Sequence, residues 1–570
     1  MSVQLGEELK ALLHSLLKNK VANILASLIY GAYAGGYADE KSAIEVLIIV
    51  ESNKVALRRL SERIANKKVH LLIVDRKSFE NDVKYKYFGG IFSENLVTPY
   101  KPIIGVDYLW SQEVKVKKNI VSSILKNLVL GFPEMSRDFL IKPEYFMHEY
   151  FIRRSILFPL ISCRFLNVLG GSDGKKNVEI MMRGFKAAIK ELINEGVLQE
   201  VDDGFLKISE KYVMKVKRFR HYLANLFNII RTNIIYYIMR FFPEIRESFI
   251  EESRLYKVHH SKNFSKISFR MLESSRRYIF VPTALGLIPF TENLSIREFI
   301  NKYILEKSIS NYSLKRLGGV LNSVYMLRFL DDKGERKAVV KVFKDWYSWK
   351  WFPIALWTLG ARSFAVLGKT RLEREYRMNR FLSSHGINVP AIIYANPEEK
   401  IIIQEYIEGA ATSKIIKQLQ RSSEDERKNL IEMIKKIGCE IARVHRLGVS
   451  IGDCKPENII VAYDGRVFFV DLEQAEEGAD PAWDIAEFLY YLGYYVPLPA
   501  NIIEEIVRGL ISGYIMSDGN MENIKRALSI KYIRVFSFFT PPHVILAIVS
   551  SCKRILGMLN CSYVGVKIGG

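Results

Sequence analysis

The sequence predicts a multidomain α+β fold: a small α/β domain, then a helical region, then a two-lobed domain in the C-terminal half. Three observations carry that reading. The chain has 570 residues, more than one hydrophobic core usually organises, so about two to four domains are expected. Its first hundred residues alternate helical and strand-like patterns, as a small sheet with covering helices requires. From Tyr312 onward, strands flanking a Gly-Gly pair, a charged helix, returning strands and a helical tail follow in a fixed order. The boundaries fall at 1–110, 111–255, 256–305 (a helical linker), 306–500 and 501–570 (a helical extension).

Bulk chemistry narrows the partners. A formal net charge of +21 favours anionic ones, nucleic acid such as tRNA or DNA among them, through attraction that salt weakens. The cations are spread along the chain, which also fits a solvated basic surface. Sparse Gln and abundant Ile, Lys and Glu suit a hot habitat. The five cysteines lack the paired spacing of a zinc site or a disulfide framework and are expected to be reduced thiols. The first twenty residues alternate charged and apolar positions without the apolar core of a signal peptide, so a cytoplasmic location is expected. Residues 223–242 and 349–368 are apolar but carry Arg231, Arg240, Lys350 and Arg362, so no membrane span is expected. The sequence specifies no oligomeric state.

In the first domain an amphipathic helix precedes the strands at 44–50 and 68–74. The run from Ile29 through Gly31, Gly35 and Gly36 to Glu45 resembles the minimal nucleotidyltransferases of the DNA polymerase β superfamily. In that family a Gly-Ser turn holds the triphosphate and two carboxylates one residue apart share the metals. Here those positions read Ala32, Ala43 and Glu45, and the later strand offers Val69-His70-Leu71 with Asp75 beyond its end. Two-metal chemistry needs its carboxylates on one strand face. The resemblance therefore implies a nucleotidyltransferase fold without nucleotidyl transfer.

Residues 177–213 read as a helix ending near Glu195-Gly196, a strand, a turn at Asp203-Gly204 and a second strand. This is the shape of a winged helix, whose last helix enters a major groove in its DNA-binding members and is a packing module in others.

Phosphoryl transfer needs a phosphate cradle, a cation on the nucleotide, metal ligands and a group that aligns the acceptor hydroxyl. Each has a candidate. Gly318 and Gly319 form a turn between two strands, where backbone N–H groups can approach phosphate oxygens. Lys341 lies on the strand 337–343, whose alternation points it into the cleft, and Glu375 on the following helix is its expected partner, ahead of Glu373. Residues 401–409 form a buried strand running into a connector, with backbone groups near Glu405 and Ile407 placed for an adenine edge. Asp453 would orient the acceptor hydroxyl and take its proton, Lys455 would neutralise the moving phosphate, and Asn458 and Asp471 would hold magnesium or manganese. An Asp-x-Lys-x-x-Asn run followed by an apolar strand ending in Asp is a specific signal.

On EYIEG at 405–409, HGINVP at 385–390 and GDCKPENII at 452–460, residues 312–495 resemble the atypical serine/threonine protein kinases, the KEOPS-complex kinase subunit and RIO kinases above all. DPAWDIA at 480–486 is also similar to the aminoglycoside and choline phosphotransferases, which implies that Asp484 anchors the catalytic loop. The full expectation is therefore a bilobal protein-kinase-like domain preceded by a nucleotidyltransferase-like domain and a helical, winged-helix region. Two departures stand out. Ile451 replaces the histidine before Gly-Asp, removing a structural hydrogen bond, and Glu473 replaces the glycine of the metal-binding Asp-Phe-Gly. About a dozen residues separate Asp471 from Asp484, too few for a long activation segment.

The resemblance implies ATP and a divalent metal as cofactors and a protein substrate, the chain itself included. A small alcohol is the alternative acceptor. A nucleic-acid-binding scaffold with an ATP-binding switch is a further reading. The aromatic insertion 345–369 is expected to pack against the N-terminal domains rather than dock a partner.

Overall fold

The computed structural model describes residues 23–52, 57–64, 67–157, 161–170, 172–218, 275–290, 312–318, 322–331, 334–344, 367–495, 499–537 and 539–566. The opening helix, the segment 223–242, most of the linker 256–305, Gly319 and all but the end of the insertion 345–369 lie outside them. The chain divides into two compact units, one made of residues 1–281 and 289–292, the other of residues 282–288 and 293–570.

In the first unit, β1 (Asn23–Tyr30), β2 (Ile44–Glu51), β3 (Leu57–Ile64), β4 (Lys67–Asp75) and β5 (Lys101–Ile104) form one sheet in the order β3-β4-β2-β1-β5. Only β2 and β4 run parallel, and they are joined through β3, which returns antiparallel to β4. β2 is apolar along almost its whole length because both of its faces are covered, as its unbroken burial shows. Asp75 ends β4 and caps α1 (Arg76–Tyr85), accepting from the Ser78 N–H at 2.9 Å.

The 26-residue α2 (Val106–Gly131) leads into β6 (Leu140–Ile141), α3 (Glu144–Leu157), α4 (Ile161–Gly170) and α5 (Gly174–Asn194). A hairpin of β7 (Leu198–Val201) and β8 (Phe205–Ile208) follows, turning through Asp202–Gly204 with Asp203 and Gly204 both at positive φ. β6 pairs with β8 through Ile141 and Leu206, and α6 (Glu210–Arg218) follows. The other edge of β6 pairs with residues Ile279–Thr283 through Ile279 and Phe280, and Gly286–Pro289 is a further strand of the same sheet. The described part of the expected helical linker 256–305 is therefore mainly strand: β-branched Ile279, Val281 and Thr283 suit a strand added along that open edge. The helix before the hairpin begins at Gly174, three residues earlier than the sequence pattern suggests.

The second unit has a strand-rich part and a helical part. β9 (Tyr312–Gly318), β10 (Asn322–Asp331), β11 (Gly334–Phe343), β12 (Ile392–Asn396) and β13 (Ile401–Glu405) form an antiparallel sheet ordered β9-β10-β11-β13-β12. One face packs Leu327, Ala338, Val340 and Ile403 into a core. The period of two therefore turns Lys341 and Gln404 to the other face, where α7 (Gly368–Ser384) lies.

The helical part collects α8 (Thr412–Leu419), α9 (Glu424–Arg446), α10 (Ala482–Tyr490), α11 (Ala500–Met516), α12 (Met521–Ala527), α13 (Ile530–Phe536) and α14 (Pro542–Val566). They surround one large core that includes Ile437, Ile441, Phe488 and Ile506. A capping box of Ser423 and Glu426 starts α9. α9 and α11 cross at Gly438 and Gly513, where an added Cβ would fall 2.1 and 1.9 Å from carbonyls of the facing helix, so only glycine permits that separation. The short strands β14 (Gly409–Ala411), β15 (Val449–Ser450), β16 (Ile459–Ala462), β17 (Val467–Phe469) and β18 (Glu476–Glu477) carry the connecting loops.

Candidate active site

The site is assembled from ends of these strands. Lys341, buried on β11, places its Nζ 3.0 Å from Glu375 Oε1 on α7, 2.8 Å from the Val470 carbonyl and 3.4 Å from Asp471 Oδ1. Glu373, the other candidate, is not the partner of this lysine. Burial works against the ammonium charge, but Asp471 and Glu375 outweigh it and raise the lysine above its ordinary pKa. Glu375 is fixed from two further sides, accepting from Gln404 Nε2 at 2.9 Å and from the Leu472 N–H at 2.6 Å. Burial raises its pKa, while Lys341 draws it down.

The loop between β15 and β16 gathers Asp453, Lys455 and Asn458. Lys455 Nζ and Asn458 Nδ2 each lie 2.8 Å from Asp453 Oδ2, and Asn458 Nδ2 also donates to the Asp453 carbonyl at 3.0 Å. Although burial opposes it, the Asp453 carboxylate raises the Lys455 pKa. Both donors of the Asn458 amide thus face Asp453, which turns its oxygen elsewhere. Pairing of β16 with β17 and a bond from the Val470 N–H to the Asn458 carbonyl at 3.0 Å set Asn458 beside the Asp471 end of the strand. A carboxylate and an amide oxygen are the hard donors a magnesium or manganese ion takes, so this pair fits such an ion.

Asp484, fully buried at the start of α10, holds the loop from below. It accepts from Ser450 Oγ at 3.0 Å, from the Ile451 N–H at 2.6 Å and from the Gly452 N–H at 2.7 Å. A histidine from another element, His445 of α9, reaches the same anchor: its Nε2 lies 3.0 Å from Asp484 Oδ2 and its Nδ1 lies 2.9 Å from the Tyr514 hydroxyl. Glu487, one turn along, accepts from the Cys454 N–H at 2.7 Å and from Trp483 Nε1 at 3.1 Å. Neither His445 nor Glu487 is marked by the local motif.

Glu473 does more than replace a flexible residue. It is buried, accepting from Arg371 Nη1 of α7 at 2.9 and 3.2 Å and from Asn322 Nδ2 at the start of β10 at 2.7 Å. Burial and the nearby Asp471 push its pKa up, against Arg371 and Asn322. The residue two positions after Asp471 therefore ties together the glutamate helix and the start of β10.

Of the remaining expected residues, Gly318 ends β9, and the phosphate-cradle reading continues into Gly319, outside the described residues. Glu405 ends β13, its N–H donating to the Ala391 carbonyl and its carboxylate accepting from the Ala391 N–H; Ile407 follows, buried, in the connector. A cavity of about 740 Å³ is lined by Lys417, Arg421, Asn429 and Tyr495, and the Tyr495 hydroxyl donates to Glu457 of the same loop at 2.6 Å.

In the first unit Glu45 meets Arg164 Nη2 at 3.4 Å, and Arg164 Nη1 donates to Asn95 Oδ1 at 3.1 Å while its guanidinium lies over the Tyr30 ring. Gly31 has φ +69, and a Cβ there would fall 2.0 Å from Glu45 Oε2. Among the described residues no group of three or more His, Cys, Asp or Glu side chains is arranged to hold a metal ion, and no helix is long and apolar enough to cross a membrane.

Residues 327–492 match the lipopolysaccharide kinase (Kdo/WaaP) family. A KEOPS complex subunit Bud32 from Pyrococcus abyssi is 32% identical over 110 residues, covering 19% of this chain and 47% of its own. A 3-deoxy-D-manno-octulosonic acid kinase from Vibrio vulnificus is 29% identical over 25% of this chain and 54% of its own, and a probable serine/threonine-protein kinase BUD32 homolog from Archaeoglobus fulgidus is 26% identical over 28% and 78%. The chain thus spans about half the length of two of these curated relatives. The C-terminal half carries an atypical protein-kinase-like phosphotransferase domain.

Proposed function

We propose that this protein transfers the γ-phosphoryl group of ATP to a serine or threonine hydroxyl of a protein, its own chain included. The observation that carries the reading is the convergence of Lys455 and Asn458 on one carboxylate oxygen of Asp453, beside a Lys341–Glu375 pair that also reaches Asp471. A divalent ion bound at Asn458 and Asp471 would supply charge neutralisation on the phosphates. Lys341, held by Glu375, binds nucleotide phosphate oxygens, and backbone groups at Glu405 and Ile407 meet the adenine edge. Asp453 accepts the acceptor's proton as its oxygen forms the new P–O bond; the bond from the γ-phosphorus to the bridging oxygen breaks and ADP leaves with that electron pair. Lys455 offsets charge on the moving phosphoryl group.

Incubation of wild-type and Asp453→Ala protein with labelled ATP and magnesium tests this. Labelling of the wild type alone is expected, and equal labelling of both would sink the assignment.

The second reading, a small-molecule hydroxyl acceptor, is supported by the short interval between Asp471 and Asp484 and by the cavity beside Tyr495. ATP consumption that appears only with a small alcohol, and never with protein, would replace the first reading by this one. For the first unit we propose a nucleotidyltransferase-like fold kept for binding or regulation. Its support is Arg164, whose guanidinium neutralises the Glu45 carboxylate that a metal would need.

A further inference from the structure

The exposed face of α5 is chemically one-sided. At 100° per residue, Lys175, Lys186, Glu179, Lys190, Arg183 and Lys176 fall in that order within an arc of about 100°. All six are exposed, and five are cations. Along the axis the cations extend for about 22 Å at 1.5 Å per residue. Among the described residues none of the five stands in an ion pair, whereas Lys118, Arg137, Lys207 and Lys217 of the same unit do. The opposite face buries Met181, Met182, Phe185, Ala188, Ile189 and Leu192, so packing fixes which side meets solvent.

The placement of this helix gives the charge a use. It immediately precedes the β7–β8 hairpin, and β8 lies between β7 and β6 in the sheet. A helix so held, with its outer side open, is shaped to lie in a groove about 12 Å wide. The hairpin tip has the opposite character: Glu200, Asp202 and Asp203 are exposed there, and Lys207 lies 4.0 Å from Asp138. A phosphate backbone would be repelled by that tip and attracted by the helix.

We infer that α5 is a docking face for duplex DNA, bound through phosphates flanking the major groove by Lys175, Lys176, Arg183, Lys186 and Lys190, with the acidic hairpin held away from the backbone. This surface is independent of the phosphotransfer reading, and its test uses no ATP.

The full-length protein is titrated with a fluorescein-labelled 20-base-pair DNA duplex of arbitrary sequence between about 50 and 200 mM salt. Each neutralised phosphate contributes about 0.9 to the slope of log affinity against log salt. The triple variant Lys176→Glu/Arg183→Glu/Lys190→Glu is expected to bind at least tenfold more weakly at low salt, with a slope shallower by two or more. The neutral set Lys176→Gln/Arg183→Gln/Lys190→Gln, which keeps the helix with less perturbation, is expected to show the same direction. Lys68→Glu/Lys101→Glu/Lys115→Glu makes the same change in net charge on other exposed residues of this unit and is expected to weaken binding less than threefold. Equal weakening by the two charge-reversal sets would show that bulk charge alone is at work and overturn the assignment. So would wild-type affinity in the neutral variant, or tighter binding of a folded RNA or of single-stranded DNA than of the duplex.

Discussion

Each unit buries an ion pair against its main sheet, and the two pairs are built differently. In the second unit the Lys341 ammonium, on a strand, contacts Glu375 at 3.0 Å and still reaches the Val470 carbonyl and Asp471, so one cation organises two carboxylates from different elements. In the first unit the carboxylate is on the strand: Glu45 meets Arg164, and Asn95 takes another guanidinium donor. Ala43, two positions before Glu45, adds no second carboxylate. A buried pair that retains a second acidic neighbour can be opened by a polyanion with its metal. A pair made of one carboxylate and one tethered guanidinium is already neutral and has nothing left to offer such a ligand.

The largest expected effect breaks the pair that organises the cleft. Lys341→Ala and Asp471→Ala should each lower phosphotransfer at least about a hundredfold in a labelled-ATP assay, with folding intact by circular dichroism. Activity within tenfold of wild type in both would mean that the pair is structural, like the one in the first unit.

Next comes the second buried pair of the kinase-like unit, Arg371–Glu473, with side chains 0% and 5% exposed. Arg371→Met leaves a buried carboxylate without its cation and should cost about 3–5 kcal/mol in urea denaturation. Arg371→Met/Glu473→Leu should regain most of that loss, because the desolvated charges leave together. A double variant as unstable as the single one would show that the pair is not acting as a pair.

A smaller, pH-dependent effect belongs to the first unit. Burial, assisted by Arg277, lowers the His148 pKa to about 4, and its ring stacks on Tyr278 at 4.9 Å. The folded state holds this imidazole neutral while the unfolded chain protonates near 6.5, so stability is full above pH 6.5 and is lost as pH falls towards 4, by up to about 3 kcal/mol. His148→Phe should flatten that part of the stability profile, and an unchanged acid limb in the variant would assign it to other groups.

The smallest expected effect is none. Restoring one carboxylate by Ala43→Asp should give no incorporation of labelled nucleoside triphosphates with magnesium, since Arg164 still covers Glu45. Clear incorporation would erase the distinction between the two units.

These contrasts also explain what could be read from the sequence. Asp453, Lys455, Asn458 and Asp471 lie within nineteen positions of one another, so their chemistry is written as spacing. Lys341 and Glu375 stand further apart, yet strand alternation and a helix position are enough to suggest that they meet. The contacts of Glu473 with Arg371 and Asn322 span 102 and 151 residues, and no local pattern marks a partner at such a distance. His445 is a similar case: it reads as a polar residue near a helix end, and only the packing of α9 against α11 reveals it between Asp484 and Tyr514. The cationic face of α5 was not singled out among cations spread along the chain, and that its members lack ion pairs among the described residues is a tertiary fact.

Gln404 has a practical consequence. It is buried on the cleft face of β13, with its amide donating to Glu375 Oε1, one residue before the connector to the helical part. Shortening it to glycine would vacate a side chain's volume beside Glu375 while leaving Lys341 its direct bond to that carboxylate. On the proposed reading, which sets the adenine edge at Glu405 and Ile407, such a variant should accept an ATP analogue enlarged on the adenine ring that the unaltered chain excludes. Supplied with a labelled version of that analogue in a cell extract, it would mark its own acceptors against a silent background, turning one amide into a means of identifying the target of the whole chain.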